Sequence, residues 1–155
     1  MRRYPLQGIG VFMLRNISPV ISPKLLTVLF IMGHGDEIVL ADSFFPGDSF
    51  GKRVVRADGI GISLLLEGIL PLITLDSYVP SPLFMMEPAR EDKLDMGIEI
   101  AYRKVIDKFW PGLPPVQRVE RFKFYEQAEN AFAIVMTGEV RKYANLILKK
   151  GVIDG

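Results

Sequence analysis

The only histidine of the chain, His34, stands in Gly33-His34-Gly35-Asp36-Glu37, where an apolar helix is expected to end and a strand to begin. The imidazole titrates in a range that covers neutrality, so it can take up and return a proton without an extreme environment. Eight positions further on, Asp42 closes the apolar run Ile38-Val39-Leu40-Ala41. If that run is a strand, its two ends carry groups of complementary chemistry, a proton carrier and a hydrogen-bond acceptor. The pair alone does not name a reaction, because an isolated histidine is as often a structural cap.

The elements that must position these groups are legible from periodicity and punctuation. Ser22 is a good N-cap and Pro23 a good first helical residue. Leu25, Leu26, Leu29 and Met32 then recur at helical spacing up to Gly33. Glu37–Ala41 reads as a buried strand, Phe45-Pro46-Gly47-Asp48 as a turn or loop, and Val54–Arg56 as a short strand. After the turn Ala57-Asp58-Gly59, one apolar helical face is predicted from Ile62, Leu65, Leu66, Ile69 and Leu70. A strand pair is expected over Ile73–Val79 and Leu83–Glu87, bounded by Pro80 and Pro82. Asp95 opens a third helix with Ile98, Ala101, Val105 and Phe109 on its buried side, ended by Pro111-Gly112-Leu113-Pro114-Pro115. The remainder reads as strand Val116–Glu120, helix Phe122–Ala131, strand Phe132–Thr137, a turn at Gly138-Glu139 and strand Asn145–Lys149. Helices alternating with apolar strands predict an α/β domain.

Several motifs are better read blandly. Gly47-Asp48-Ser49-Phe50-Gly51 has the letters of a nucleophile elbow, but Phe45-Pro46 precedes it and the sole histidine comes earlier in the chain. A surface turn suits it better. Gly33-His34-Gly35 and Gly59-Ile60-Gly61 begin dinucleotide fingerprints whose third glycine is Ile38 and Leu64. A metal site from His34, Asp36 and Asp42 is weakly supported by one histidine and two carboxylates. In Arg121-Phe122-Lys123-Phe124-Tyr125, both Phe122 and Phe124 are expected in the core rather than stacked on bases.

The bulk properties exclude whole classes. With 155 residues the chain fits one domain that buries roughly 70% of its unfolded surface. Hydrophobic residues make up 49% and charged residues 24%, a balance that excludes general disorder. A net charge of +1 gives no electrostatic reason to bind nucleic acid or an anionic membrane. Cysteine is absent, so disulfides, thiolate nucleophiles and thiolate metal sites are ruled out. The longest apolar stretch, Gly59 to Leu75, is broken by Glu67 and Pro71 and falls short of the roughly 20 residues a membrane helix needs. The N-terminus lacks a continuous apolar signal segment, and a cytosolic location is expected.

A series of ten segments, in one order, carries a further signal. The segments are Ile21-Ser22-Pro23-Lys24-Leu25-Leu26, Met32-Gly33-His34-Gly35-Asp36-Glu37-Ile38, Ala41-Asp42, Arg56-Ala57-Asp58-Gly59 and Leu75-Asp76-Ser77-Tyr78. They continue through Glu120-Arg121-Phe122, Phe124-Tyr125-Glu126, Ala131-Phe132-Ala133, Thr137-Gly138-Glu139 and Tyr143-Ala144-Asn145. The series resembles the family of sugar mutarotases that contains L-fucose mutarotase and D-ribose pyranase; the likeness runs from about Leu14 to Val152, and the Gly-His-Gly-Asp-Glu-Ile form is closer to the fucose branch. It implies a three-layer α/β/α single domain with a mixed central sheet, assembled into a ring-shaped homo-oligomer, a pentamer or decamer, with sites at subunit contacts. It further implies His34 as the general acid/base and places Tyr125 at the sugar; His34 would exchange the proton at one sugar oxygen while Tyr125, or an ordered water, serves the other. Asp42, Asp76, Arg121, Tyr143 and Asn145 would bind the monosaccharide, L-fucose, without metal or cofactor. A D-ribose pyranase-type mutarotase or another monosaccharide anomerase, and a non-catalytic sugar-binding ring protein, stay open as alternatives. Because Met13-Leu14-Arg15-Asn16-Ile17-Ser18 resembles a family N-terminus, the mutarotase domain is expected over 13–155. Residues 1–12 would then be an extension or a misassigned start.

Overall fold

The computed structural model describes residues 13–153, so the expected extension lies outside the described residues. Ser22 caps the first helix, α1 (Pro23–Ile31), through its hydroxyl on the Leu25 N–H at 3.1 Å. The apolar run after His34 forms β1 (Glu37–Ala41), a central strand whose Ile38 and Leu40 enter one core while Val39 and Ala41 enter the other. A strand buried on both faces loses the polar alternation of a surface strand, which is why the sequence reads as unbroken apolar.

Chain order then runs α2 (Gly47–Phe50), β2 (Val54–Ala57), α3 (Ile62–Ile69), β3 (Leu83–Met86) and α4 (Met96–Phe109). It ends with β4 (Gln117–Val119), α5 (Arg121–Asn130), β5 (Ala133–Thr137) and β6 (Leu146–Lys149). The six strands form one sheet in the order β2-β5-β1-β6-β3-β4. Only β6 runs against its neighbours, pairing antiparallel with β1 and β3, so the carboxyl ends of the other five strands share one edge. Helices α1, α3 and α4 cover one face around Leu25, Leu65, Leu66 and Ile106, and α5 covers the other with Phe124 and Ala128. This is the expected three-layer α/β/α domain with a mixed sheet.

Four local expectations are corrected. The segment Ile73–Val79 is not a strand; it touches the sheet only at a Leu75–Lys150 bridge. There the Asp76 carboxylate accepts the Tyr78 N–H at 2.9 Å, a local bond that competes with a ladder. Phe122 is 72% exposed rather than in the core. Phe124 and Ala128 share the buried stripe of α5, and a residue two places before Phe124 points to the far side of a helix. The expected turn after Phe45 winds into α2. On α4 the buried stripe is Ile98, Tyr102, Val105 and Ile106, with Ala101 and Phe109 only half-buried.

Candidate active site

The shared carboxyl edge of the sheet opens into a cavity of about 500 Å³, a size suited to a small ligand. Asp42 enters it from the end of β1, Met86 from β3, Arg121 and Tyr125 from α5, and Tyr143 and Asn145 from the approach to β6. Glu120 caps α5, its carboxylate accepting the Phe122 and Lys123 N–H groups at 3.1 and 3.2 Å. Arg121 and Tyr125 therefore sit one turn apart on the same side of a fixed helix. The Arg121 guanidinium lies 5.6 Å from the Tyr125 ring centre, and a hydrogen bond to Tyr125 raises its proton affinity further. Phe45 also packs against that tyrosine, with ring centres 5.6 Å apart.

Asp42 and Asn145 form the inner wall. The Asn145 side-chain oxygen accepts the Asp42 N–H at 2.7 Å, and Asp42 Oδ1 accepts the Phe44 N–H at 2.9 Å. Burial pushes the Asp42 carboxyl above the usual carboxylate range, with a small addition from Glu139. The bonds from Phe44 and Asn145 pull the other way. Two loops are stitched behind this wall. Ser43 donates its N–H to the Glu139 carbonyl at 2.7 Å, and Thr137 Oγ1 donates to the Ala41 carbonyl at 2.7 Å. Buried Glu139 receives Arg141 Nε and Nη2 at 2.9 and 3.0 Å, which holds its carboxyl below the ordinary range. Such a wall offers fixed acceptors and donors to the hydroxyls of a polar ligand.

His34 lies at the opposite edge. Five steps of β1 from Glu37 to Asp42, about 3.3 Å each, put roughly 17 Å of strand between the two ends. Gly35 turns the chain at φ +85° and donates its N–H to the Lys150 carbonyl at 2.8 Å, while Asp36 caps the Gly33 N–H at 2.7 Å. The imidazole is left 44% exposed, with Nε2 3.3 Å from Asp76 Oδ1 and the Tyr78 ring centre 5.7 Å away. Buried Asp76 is held below the ordinary carboxylate range, first by the Tyr78 N–H and then by His34. With Asp76 ionised, the imidazole proton is favoured on Nε2, which leaves Nδ1 as the basic nitrogen.

Of the seven expected site residues, Asp42, Arg121, Tyr125, Tyr143 and Asn145 line one cavity. His34 and Asp76 meet each other instead, and within one chain they do not reach that cavity. The metal grouping His34, Asp36 and Asp42 does not form: Asp36 turns onto Gly33, and Asp42 is at the other end of the strand. Sequence reasoning missed Asp92, Arg141 and Phe44, which also line the cavity, and the ring of Tyr78 beside His34. Asp92 sits in a segment without motif; Tyr78 stood inside a recognised motif and carried no assigned role.

The fold and cavity define a single-domain α/β/α protein with a cavity lined by charged and polar side chains at the carboxyl edge of a mixed sheet. The RbsD / FucU transport protein family profile matches residues 15–153, and the chain belongs to that family. It is 53% identical over 140 residues to an L-fucose mutarotase of Actinobacillus pleuropneumoniae serotype 5b (strain L20), covering 90% of this chain and 97% of that protein. A crystal structure of the fucose mutarotase of Streptococcus pneumoniae in complex with L-fucose is 45% identical. It superposes with a TM-score of 0.86 over 91% of this chain and 100% of that one. FucU from Bifidobacterium longum is 43% identical, with a TM-score of 0.86 over 90% and 100% of the two chains. Bacillus subtilis RbsD complexed with D-ribose shares the fold at 17% identity and a TM-score of 0.67, over 96% and 100%.

Proposed function

We propose that this protein is a mutarotase, an isomerase that exchanges the α- and β-pyranose forms of L-fucose. What carries the reading is that five polar residues of the resemblance line one cavity, in a chain 53% identical to an L-fucose mutarotase. Exchange of anomers opens the ring to the aldehyde and closes it on the other face. Opening removes the proton of the anomeric hydroxyl and delivers one to the ring oxygen; closing reverses both transfers. His34 Nδ1 is the group that takes the anomeric proton and returns it, with Asp76 stabilising the imidazolium formed. The Tyr125 hydroxyl serves the ring oxygen. Asp42 accepts sugar hydroxyl protons, Asn145 and Arg121 donate to sugar oxygens, and the Tyr143 ring covers an apolar sugar face.

Because His34 and the cavity lie at opposite edges of the sheet, a working site takes the cavity from one subunit and His34 from its neighbour. Both edges carry exposed apolar side chains that support such a contact. Tyr78 stands beside His34, with Phe30 and Ile153 exposed next to Lys150, and Phe44 and Val140 line the cavity. A head-to-tail contact between two different patches, repeated, makes a ring when the rotation from one subunit to the next closes. A pentamer, or two such rings as a decamer, fits this arrangement. Among the described residues no helix is long and apolar enough to cross a membrane, and a cytosolic place accords with a chain free of cysteine.

Saturation-transfer NMR between the anomers of L-fucose tests the assignment, with D-ribose and D-galactose run alongside. The expected result is accelerated exchange strongest for L-fucose, falling by about 10²–10⁴-fold in His34→Ala. Wild-type protein that leaves L-fucose exchange at the rate in buffer overturns the reading.

A further inference from the structure

The cavity contains a second carboxylate that no part of the proposed chemistry uses. Asp92, in the segment between β3 and α4, lines the cavity beside Arg121, Lys142 and Tyr143. Its Oδ2 accepts the Tyr143 hydroxyl proton at 2.5 Å, and its Oδ1 lies 3.9 Å from Lys142 Nζ. The same phenolic oxygen accepts the Ala89 N–H at 3.2 Å. Tyr143 is thus tied at its tip by two residues of one segment. It also needs tying: its φ is +58°, a left-handed conformation that side chains other than glycine and asparagine rarely hold without support.

A hydroxyl that donates to a carboxylate and accepts a backbone N–H has little left to offer a sugar. What Tyr143 can present to the cavity is its ring, and the orientation of that ring follows from where the hydroxyl is pinned. We propose that Asp92 is a positioning residue for the mutarotase site. Its carboxylate anchors the Tyr143 ring as the apolar wall against which the monosaccharide binds. This rests on the mutarotase reading of the cavity. The wall acts on ground state and transition state alike, so Asp92 governs sugar affinity more than turnover.

The test compares Asp92→Ala, Asp92→Asn, Tyr143→Phe and the double variant Asp92→Ala/Tyr143→Phe, with KM and kcat for L-fucose from anomer-exchange NMR. Loss of a charge-assisted bond predicts a rise in KM of about tenfold for Asp92→Ala, with kcat within about twofold. Asp92→Asn keeps an acceptor for the phenol and recovers most of that loss. Tyr143→Phe removes the same bond from the other side, so it matches Asp92→Ala, and the double variant is no worse than either alone. A multiplicative double variant, an Asn variant as poor as the Ala variant, or a fall in kcat at constant KM overturns the proposal. If Asp92→Ala does not fold, Asp92→Asn against Tyr143→Phe still decides it. If the wild type does not accelerate exchange, the mutarotase reading fails by itself, and the same variants are compared by L-fucose affinity in titration calorimetry. Absence of wild-type binding there rejects the Asp92 role as well.

Discussion

Asp42 illustrates what a polar site asks of single residues. It is 8% exposed, and burial holds its carboxyl above the ordinary range despite the bonds from Phe44 and Asn145. A carboxyl whose folded pKa lies above its unfolded value contributes most to stability below the unfolded pKa. That contribution is lost as pH rises through the folded value. Near neutrality the ionised group therefore weakens the fold; in the proposed role it would offer the sugar an acceptor, a trade between stability and function. Asp42→Asn keeps an oxygen for the Phe44 N–H and removes the charge. Its thermal midpoint is expected to exceed that of wild type by a margin that is small near pH 4 and grows toward pH 7. About 1 kcal/mol reads as roughly 2–4 °C for a chain of this size. L-fucose affinity falls in the same variant. A midpoint advantage that shrinks as pH rises would show that the buried charge is not the destabilising factor.

At the scale of elements, two turns of the family pattern are explained by packing. Gly138 lies so close to Gly59 that an added Cβ would meet the Gly59 backbone at 2.7–2.9 Å, and backbone cannot swing aside as a side-chain tip can. Gly59 itself turns at φ +78°. Gly138→Ala should push the 137–139 turn away from the 57–59 turn and loosen the Ser43–Glu139 bond behind Asp42. Overpacking of this kind costs about 1–3 kcal/mol, to be read as a lower urea midpoint together with weaker L-fucose binding. Unchanged values for both would mean that the close approach relaxes freely. The α1 cap, the apolar β1 run and the stripe of α3 were readable because each combines a period with a punctuating residue. Ile73–Val79 was misread because its composition suits a strand, whereas the Asp76 side chain takes a backbone N–H locally. Phe122 was misplaced because an aromatic at the first turn of a helix does not tell which way the helix is rotated. Within the candidate site, Asp42 was marked by its place at the end of the β1 run, whereas Arg121, Tyr125, Tyr143 and Asn145 were legible only as members of a resembling series. Asp92 was not legible at all, since its partnership with Tyr143 spans 51 residues of chain and leaves no local pattern.

At the scale of the whole molecule, His34 and the cavity lie apart within one chain. The strand between His34 and Asp42 already implies that they end on opposite edges, and no side-chain movement closes a gap of roughly 17 Å. If each site pairs the cavity of one subunit with His34 of the next, damage at the two edges is separable. His34→Ala subunits keep an intact cavity, and Asn145→Ala subunits keep an intact imidazole; each alone is expected to be inactive as a homo-oligomer. Co-expressed in equal amounts, or mixed after reversible dissociation, they assemble at random. An active site then needs an intact cavity beside an intact His34, which occurs at about a quarter of head-to-tail contacts. Anomer exchange should reappear at about a quarter of the wild-type rate, and size-exclusion with light scattering should show mixed rings of unchanged mass. Sites closed within one chain predict no recovery at any mixing ratio. Two-fold contacts that place each cavity against its own copy predict none either, because His34 then never meets a neighbouring Asn145. Recovery that rises and falls with the product of the two subunit fractions would thus establish the shared site, and the particle mass from light scattering then tells a head-to-tail ring from a two-fold dimer that exchanges the same two edges.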